Sequence, residues 1–305
     1  MVTRADGPSP THVIAHLSDP HVLCDGSLLG GRIDTVGQLR QAMHRVEASG
    51  EAIDVVVISG DLTAHADPAS YRLLLDIVEP VVERLGARLV LTAGNHDERA
   101  PLAQAVTGAP SEGPLDTSTT VRGLRIVGMD SAVPGHHHGG FSVDQYDWLA
   151  TELADPAEHG SVLVMHHPPL RYRSPVMRLL DFDDPARLAS ILKGTDVRAI
   201  LCGHLHVTSF GVLAGIPVFV AGAVSYADDA GAPRDELMAV DGPQSWNLVE
   251  VHADQVVATV VPVAAHPTWP ALSSEVRDFM DAVPADDKRE VFSRKPARPA
   301  RPTGY

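Results

Sequence analysis

The sequence predicts an α/β domain with largely parallel sheets, on three observations. Short runs rich in Val, Ile and Leu alternate with longer stretches of helical periodicity. The runs are apolar almost throughout, as strands buried on both faces are. Their carboxyl ends repeatedly carry Asp, Asn or His, at the edge where open α/β sheets bind ligands.

Residues 1–11 are rich in Pro, Gly, Ser and charge and read as a disordered lead-in. HVIAHLS (12–18) reads as the first strand. TVGQLRQAMHRVEASG (35–50) places Val36, Leu39, Ala42, Met43 and Val46 on one face and stops at Gly50, as a helix does. IDVVVIS (53–59) is the next strand. DPASYRLLLDIVEPVVERLG (67–86) opens with an Asp-Pro helix start and stops at Gly86. RLVLTA (88–93), LRIVGM (124–129), SVLVM (161–165), VRAILC (197–202) and IPVFVA (216–221) continue the strands. WNLVEV (246–251) and VVATVVPV (256–263) are separated only by HADQ and read as an antiparallel hairpin. No repeat or break in composition divides the chain, so one domain is expected over 12–283. Residues 284–305 are Pro-rich, basic toward their end, and read as a mobile tail.

Composition narrows the function. A formal net charge of −15 argues against wrapping a nucleic-acid polymer. A small anionic substrate stays compatible with it, because bound divalent ions reverse the local field. No apolar run approaches the roughly 20 residues that span a bilayer, which argues against membrane insertion. MVTRADGPSPTH has no apolar signal core, so a cytoplasmic protein is expected. The two cysteines cannot form a disulfide framework: Cys202 reads as a small buried hydrophobe and Cys24 as incidental.

The strand ends carry the chemistry. They supply Asp19 and His21, then Asp61, then Asn95, His96 and Asp97, then Asp130, then His166 and His167, then His204 and His206. Taken singly, each block also fits a turn or a helix cap. Successive strand ends bearing His or hard ligands, none with a thiolate, suit Mn, Fe, Zn or Co better than a Cys-rich structural zinc site. Seven candidate ligands exceed one tetrahedral ion but serve two ions if one carboxylate bridges. Ions about 3.5–4 Å apart form a clamp for phosphoryl transfer.

The blocks D-x-H (Asp19, His21), G-D (Gly60, Asp61), G-N-H-D (Gly94 to Asp97), His166 before His-Pro-Pro and G-H-x-H (Gly203 to His206) resemble the calcineurin-like metallophosphoesterase signature. All five stand in order over residues 19–206. The wider chain resembles the class III cyclic-nucleotide phosphodiesterases and the related glycerophosphodiesterases.

The resemblance implies a four-layer α/β/β/α sandwich. It also implies two divalent ions, Fe or Mn first and Zn or Co as alternatives. Asp19, His21 and His206 would hold one ion and Asn95, His166 and His204 the other, with Asp61 bridging. The implied reaction is hydrolysis of a small phosphodiester by a metal-bridging hydroxide. The implied substrates are 3′,5′-cyclic nucleotides such as cAMP, then 2′,3′-cyclic nucleotides, with glycerophosphodiesters or a broader phosphoesterase range as the alternative. An intact ligand set speaks against a non-catalytic scaffold, and a homodimer is also implied. His96 is the expected catalytic residue at the phosphate, with Asp97 or Asp67 as its partner. His167 is expected to support the ligands. The GHHHG loop (135–139), with His137 and His138, reads as lining the substrate cleft or as a solvated loop.

Overall fold

The computed structural model describes residues 9–267, 269 and 273–294. In chain order the elements are β1 (His12–Leu17), α1 (Thr35–Ala48), β2 (Val55–Ser59), α2 (Pro68–Leu85), β3 (Arg88–Thr92), α3 (Arg99–Thr107), β4 (Thr117–Val121) and β5 (Leu124–Met129). Then come α4 (Val143–Glu152), β6 (Ser161–Met165), α5 (Pro185–Leu192), β7 (Val197–Cys202), β8 (Ser209–Leu213) and β9 (Ile216–Val220). The last are β10 (Ala227–Asp228), β11 (Ala239–Val240), β12 (Ser245–Val251), β13 (Val256–Pro262), α6 (Ser274–Ala282) and α7 (Ala285–Ser293).

Two large sheets form. The first has the order β13-β12-β1-β2-β3 and the second β4-β5-β6-β7-β9-β8. Strands β1, β2 and β3 run parallel, as do β5, β6, β7 and β9. The antiparallel strands lie toward the sheet margins, including the expected β12–β13 hairpin.

Three apolar layers hold the sheets. Val13, Ala15 and Leu17 of β1 pack with Leu39, Met43 and Val46 of α1 and Leu74 and Val78 of α2. Ile14, on the opposite face of β1, packs with Val55 and Val57, and against Ile126, Val162 and Val164 of the second sheet. The outer face of that sheet covers Leu149 of α4 and Leu188 and Leu192 of α5. The layers are therefore helix, sheet, sheet, helix. Burial of both strand faces explains the unbroken apolar runs. Helix starts follow the sequence signals: the Asp34 carboxylate accepts the Gly37 amide (2.8 Å) and Asp67 that of Ser70 (2.8 Å).

The layered unit spans Pro10–Ala265, and the described residues from His266 fall outside it. Part of the expected tail is helical: in α7, Asp286 and Asp287 occupy the first turn, where acidic groups favour a helix. The Phe279 and Phe292 rings of α6 and α7 meet edge-on at 5.7 Å. Residues 1–8 of the lead-in and 295–305 of the tail lie outside the described residues. Among the described residues no helix is long and apolar enough to cross a membrane.

Candidate metal centre

Parallel strands leave their carboxyl ends on one edge, so the segments after β1, β2, β3, β6 and β7 converge. Backbone bonds stitch them together. The Asp19 amide donates to the Gly60 carbonyl (3.1 Å), that of His21 to Asp61 (3.0 Å) and that of Gly203 to His166 (2.9 Å). Asp19, His21, Asp61, His204 and His206 all adopt positive φ, at 53°, 44°, 49°, 71° and 51°. Such backbone is uncommon for residues with side chains, and five cases in one place mark a strained, over-determined site. Two motif glycines are required by close approach. A Cβ on Gly94 would lie 2.2 Å from the Asp61 amide nitrogen, and one on Gly203 would lie 2.6 Å from Asp19 Oδ2.

All seven expected ligands meet. Asp61 Oδ2 lies 3.4 Å from His21 Nε2 and 3.4 Å from His166 Nε2. Asp19 Oδ1 is 3.4 Å from His206 Nε2, and Asn95 Oδ1 is 3.2 Å from His166 Nε2. The donor atoms of Asp19, His21, Asp61 and His206 fall within 4.8 Å of one another, as do those of His166, His167 and His204.

Backbone carbonyls set the imidazoles. His166 Nδ1 donates to Ser59 (2.7 Å), His206 Nδ1 to Tyr226 (3.0 Å) and His204 Nε2 to Leu180 (3.1 Å). This leaves the lone pairs of His166 Nε2, His206 Nε2 and His204 Nδ1 as donors to a metal.

His167 is different. Its Nδ1 meets the Ser131 hydroxyl (2.9 Å) and its Nε2 donates to the His137 carbonyl (3.2 Å), so both nitrogens are engaged. These two bonds hold its ring beside His166 and His204.

The electrostatics fit cations. Burial would raise the Asp19 carboxyl, but the His206 and His166 imidazoles outweigh it and bring it to about 2. The same opposition, led by His166, holds Asp61 well below the usual carboxylate range. Burial lowers the His166 imidazole, yet Asp61 and Asp19 keep it up at about 9. Burial takes His21 and His204 down to about 3, so both stay neutral. Two buried ionised carboxylates draw positive charge, as the raised His166 between them shows, and the oxygen and nitrogen donors suit a pair of divalent ions.

His96 is exposed at the edge of this cluster. Its amide donates to Asp61 Oδ1 (2.8 Å) and its Nδ1 to the Ala64 carbonyl (3.2 Å). Neither expected carboxylate partners the ring. Asp97 instead accepts the Leu62, Thr63 and Gly94 amides and the Tyr71 hydroxyl, at 3.0, 3.3, 2.9 and 2.9 Å. Burial and the charge of Asp61 raise Asp97 to about 7. Asp67 is occupied in capping α2.

In the GHHHG loop, only His137 reaches the ligands: its Nδ1 accepts from Asn95 Nδ2 (3.1 Å), which turns Asn95 Oδ1 toward His166. His138 faces Asp183 instead (3.4 Å). The strand-end Asp130 stays out of the cluster and pairs with Arg99 (2.8 Å). The roles of the Ser59, Leu180 and Tyr226 carbonyls escape sequence reading, because any residue carries one.

A cavity of about 790 Å³ opens beside the cluster, with His21, His96 and Tyr226 in its wall. Residues 12–208 match the calcineurin-like phosphoesterase family. A cAMP/cGMP dual specificity phosphodiesterase of Mycobacterium tuberculosis is 42% identical over 265 residues, covering 87% of this chain and 83% of that protein. A probable cyclic nucleotide phosphodiesterase of Rhodococcus erythropolis is 40% identical over 268 residues, covering 88% and 89%. In fold, the chain is similar to a dimetal phosphatase from Danio rerio, with a TM-score of 0.60 at 14% identity over 84% of this chain and 98% of that one. With the matching region, the layered fold and the converged Asp, Asn and His side chains in agreement, the chain belongs to the calcineurin-like phosphoesterase family.

Proposed function

We propose that this protein is a dinuclear-metal phosphodiesterase acting on small diesters, with 3′,5′-cyclic nucleotides such as cAMP first and 2′,3′-cyclic nucleotides next. One observation carries the reading: a single Asp61 oxygen stands 3.4 Å from a ligand nitrogen on each side, as a bridging carboxylate must. Asp19, His21 and His206 are assigned to one ion and Asn95, His166 and His204 to the other, with Asp61 shared. Mn or Fe suits this donor set, and Zn or Co also accepts it. The names of the two bacterial relatives support cyclic nucleotides as substrates. A cytoplasmic setting and a homodimer complete the reading, and sedimentation at micromolar concentration tests the dimer.

When bound, two such ions supply charge stabilisation at the phosphoryl oxygens and a nucleophile at neutral pH. The chain's own part is positioning and proton transfer. The carbonyls of Ser59, Leu180 and Tyr226 hold three imidazoles in register, and His137 turns Asn95. Ala64 holds the Nδ1 proton of His96, so Nε2 is the nitrogen left to meet the phosphate. When His96 carries a proton on both nitrogens, the one on Nε2 passes to the departing alkoxide as the phosphorus–oxygen bond breaks, leaving the ring neutral.

The test is a rate comparison on protein stripped of metal and reloaded with Mn²⁺. Its substrates are 3′,5′-cAMP, 2′,3′-cAMP, an aryl phosphodiester, a glycerophosphodiester and the aryl monoester. Diester rates well above the monoester rate are expected, with the cyclic nucleotides fastest. A dominant monoester rate would overturn the reading, and a dominant glycerophosphodiester rate would replace its substrate.

A further inference from the structure

The cavity beside the cluster, at about 790 Å³, exceeds what a phosphate needs and lies in the size range of small-molecule sites, roughly 300–1,000 Å³. Two apolar walls account for the excess. One is the Leu29–Ile33 turn, closed by the Leu29 amide on the Ile33 carbonyl (2.9 Å) and the Ile33 amide on the Leu29 carbonyl (3.1 Å). It follows His21 in the chain. The other is β11, where Val240 pairs with Ala227 and Ala239 with Asp228 of β10.

That hairpin is tied to the cluster. The Asp228 amide donates to the His206 carbonyl (3.1 Å), and the Tyr226 ring lies 4.1 Å from the His206 ring. Both walls therefore hang from segments that carry His21 and His206. Val240 is 37% exposed, so its apolar surface is left uncovered. Arg32, His65 and Asp241 add polar groups to the lining. The second wall lies beyond residues 12–208, the region matched by the family.

We propose that this slot holds the nucleoside of the diester and sets specificity. The base lies between Leu29–Ile33 and Ala239–Val240, the phosphate points to His21 and His96, and Arg32 and Asp241 meet the polar edges. A heterocycle has apolar faces and polar edges, which match apolar walls set among polar groups. A glycerol arm, hydroxylated along its length, leaves those walls uncovered. This inference rests on the phosphodiesterase reading above.

The experiment uses the full Mn²⁺-loaded chain and the variants Leu29→Ser and Val240→Ser. The preference for 3′,5′-cAMP over glycerophosphoethanolamine, as a ratio of kcat/KM, is expected to fall about tenfold, mainly through KM for the nucleotide. Adenosine, which has no phosphate, should bind the wild type saturably and the variants more weakly in a calorimetric titration. An unchanged preference, or an equal loss on both diesters, would overturn the slot. A wild type that cuts no cyclic nucleotide sinks the phosphodiesterase reading instead. The adenosine titration then decides the slot by itself: saturable binding weakened in Val240→Ser upholds it, and no binding removes it.

Discussion

His21 Nε2 and His206 Nε2 face each other at 3.1 Å, although 185 residues separate them in the chain. The Tyr226 carbonyl takes the Nδ1 proton of His206, so a neutral His206 presents a bare lone pair to its neighbour. Beside them lie the buried, ionised Asp19 and Asp61. A cation between these donors removes the repulsion. Chelation of the metals is therefore expected to lower the Tm by about 5–10 °C, through loss of native-state binding energy. Calorimetry with and without chelator checks this, and equal melting temperatures would mean that the cluster holds no ion.

His96 reaches the cluster through its backbone amide and fixes its ring on Ala64, outside the ligand set. His96→Ala is expected to lower kcat about 10²–10³-fold while leaving metal content near that of the wild type. Elemental analysis alongside steady-state kinetics separates the two effects. A variant that loses metal would show that the residue supports binding rather than proton transfer.

The His137 side chain hydrogen-bonds the ligand set through Asn95. His137→Ala frees the amide to rotate, so affinity for one of the two ions should fall about tenfold while the other is held as before. A metal titration resolving two steps tests this. Equal weakening of both steps would contradict the assignment of Asn95 to one ion.

His16 lies between the sheets, with Nε2 on the Ser59 hydroxyl (2.9 Å) and no partner for Nδ1. Burial lowers its pKa to about 3, below its ordinary value of 6.5. Unfolding therefore takes up a proton wherever the pH is below 6.5. The neutral ring's contribution is complete above that pH and is lost as pH falls toward 3. Between pH 7 and pH 5.5 the loss is on the order of 1 kcal/mol. Denaturant unfolding of metal-free wild type and His16→Gln checks it, because the wild type should lose that much more stability on acidification. Parallel pH profiles would remove His16 as the cause.

Every apolar run read as a strand is a strand in the fold; in β1, β2, β5 and β6 burial on two faces writes itself into Val, Ile and Leu, whereas Val256–Pro262 is apolar without a buried residue. The strands that escaped have other compositions. Thr117–Val121 is TSTTV at the margin of the second sheet, and Ser209–Leu213 alternates half-buried and exposed residues at the other margin. The helix at Ala285–Ser293 escaped because its charged residues look like solvated tail.

By itself the sequence determined the kinds of donor, their order along the chain and their delivery at the ends of strands. Each of those follows from side-chain identity and apolar periodicity. Only the tertiary structure decided which nitrogen of each imidazole faces inward, which Asp61 oxygen lies between two histidines, and that Ala64 rather than Asp97 or Asp67 partners His96. It also decided that His137 and not His138 reaches Asn95. The physical reason is that these choices rest on backbone carbonyls and on contacts of about 3 Å. Carbonyls are the same in every residue, and such contacts exist only once two sheets have packed.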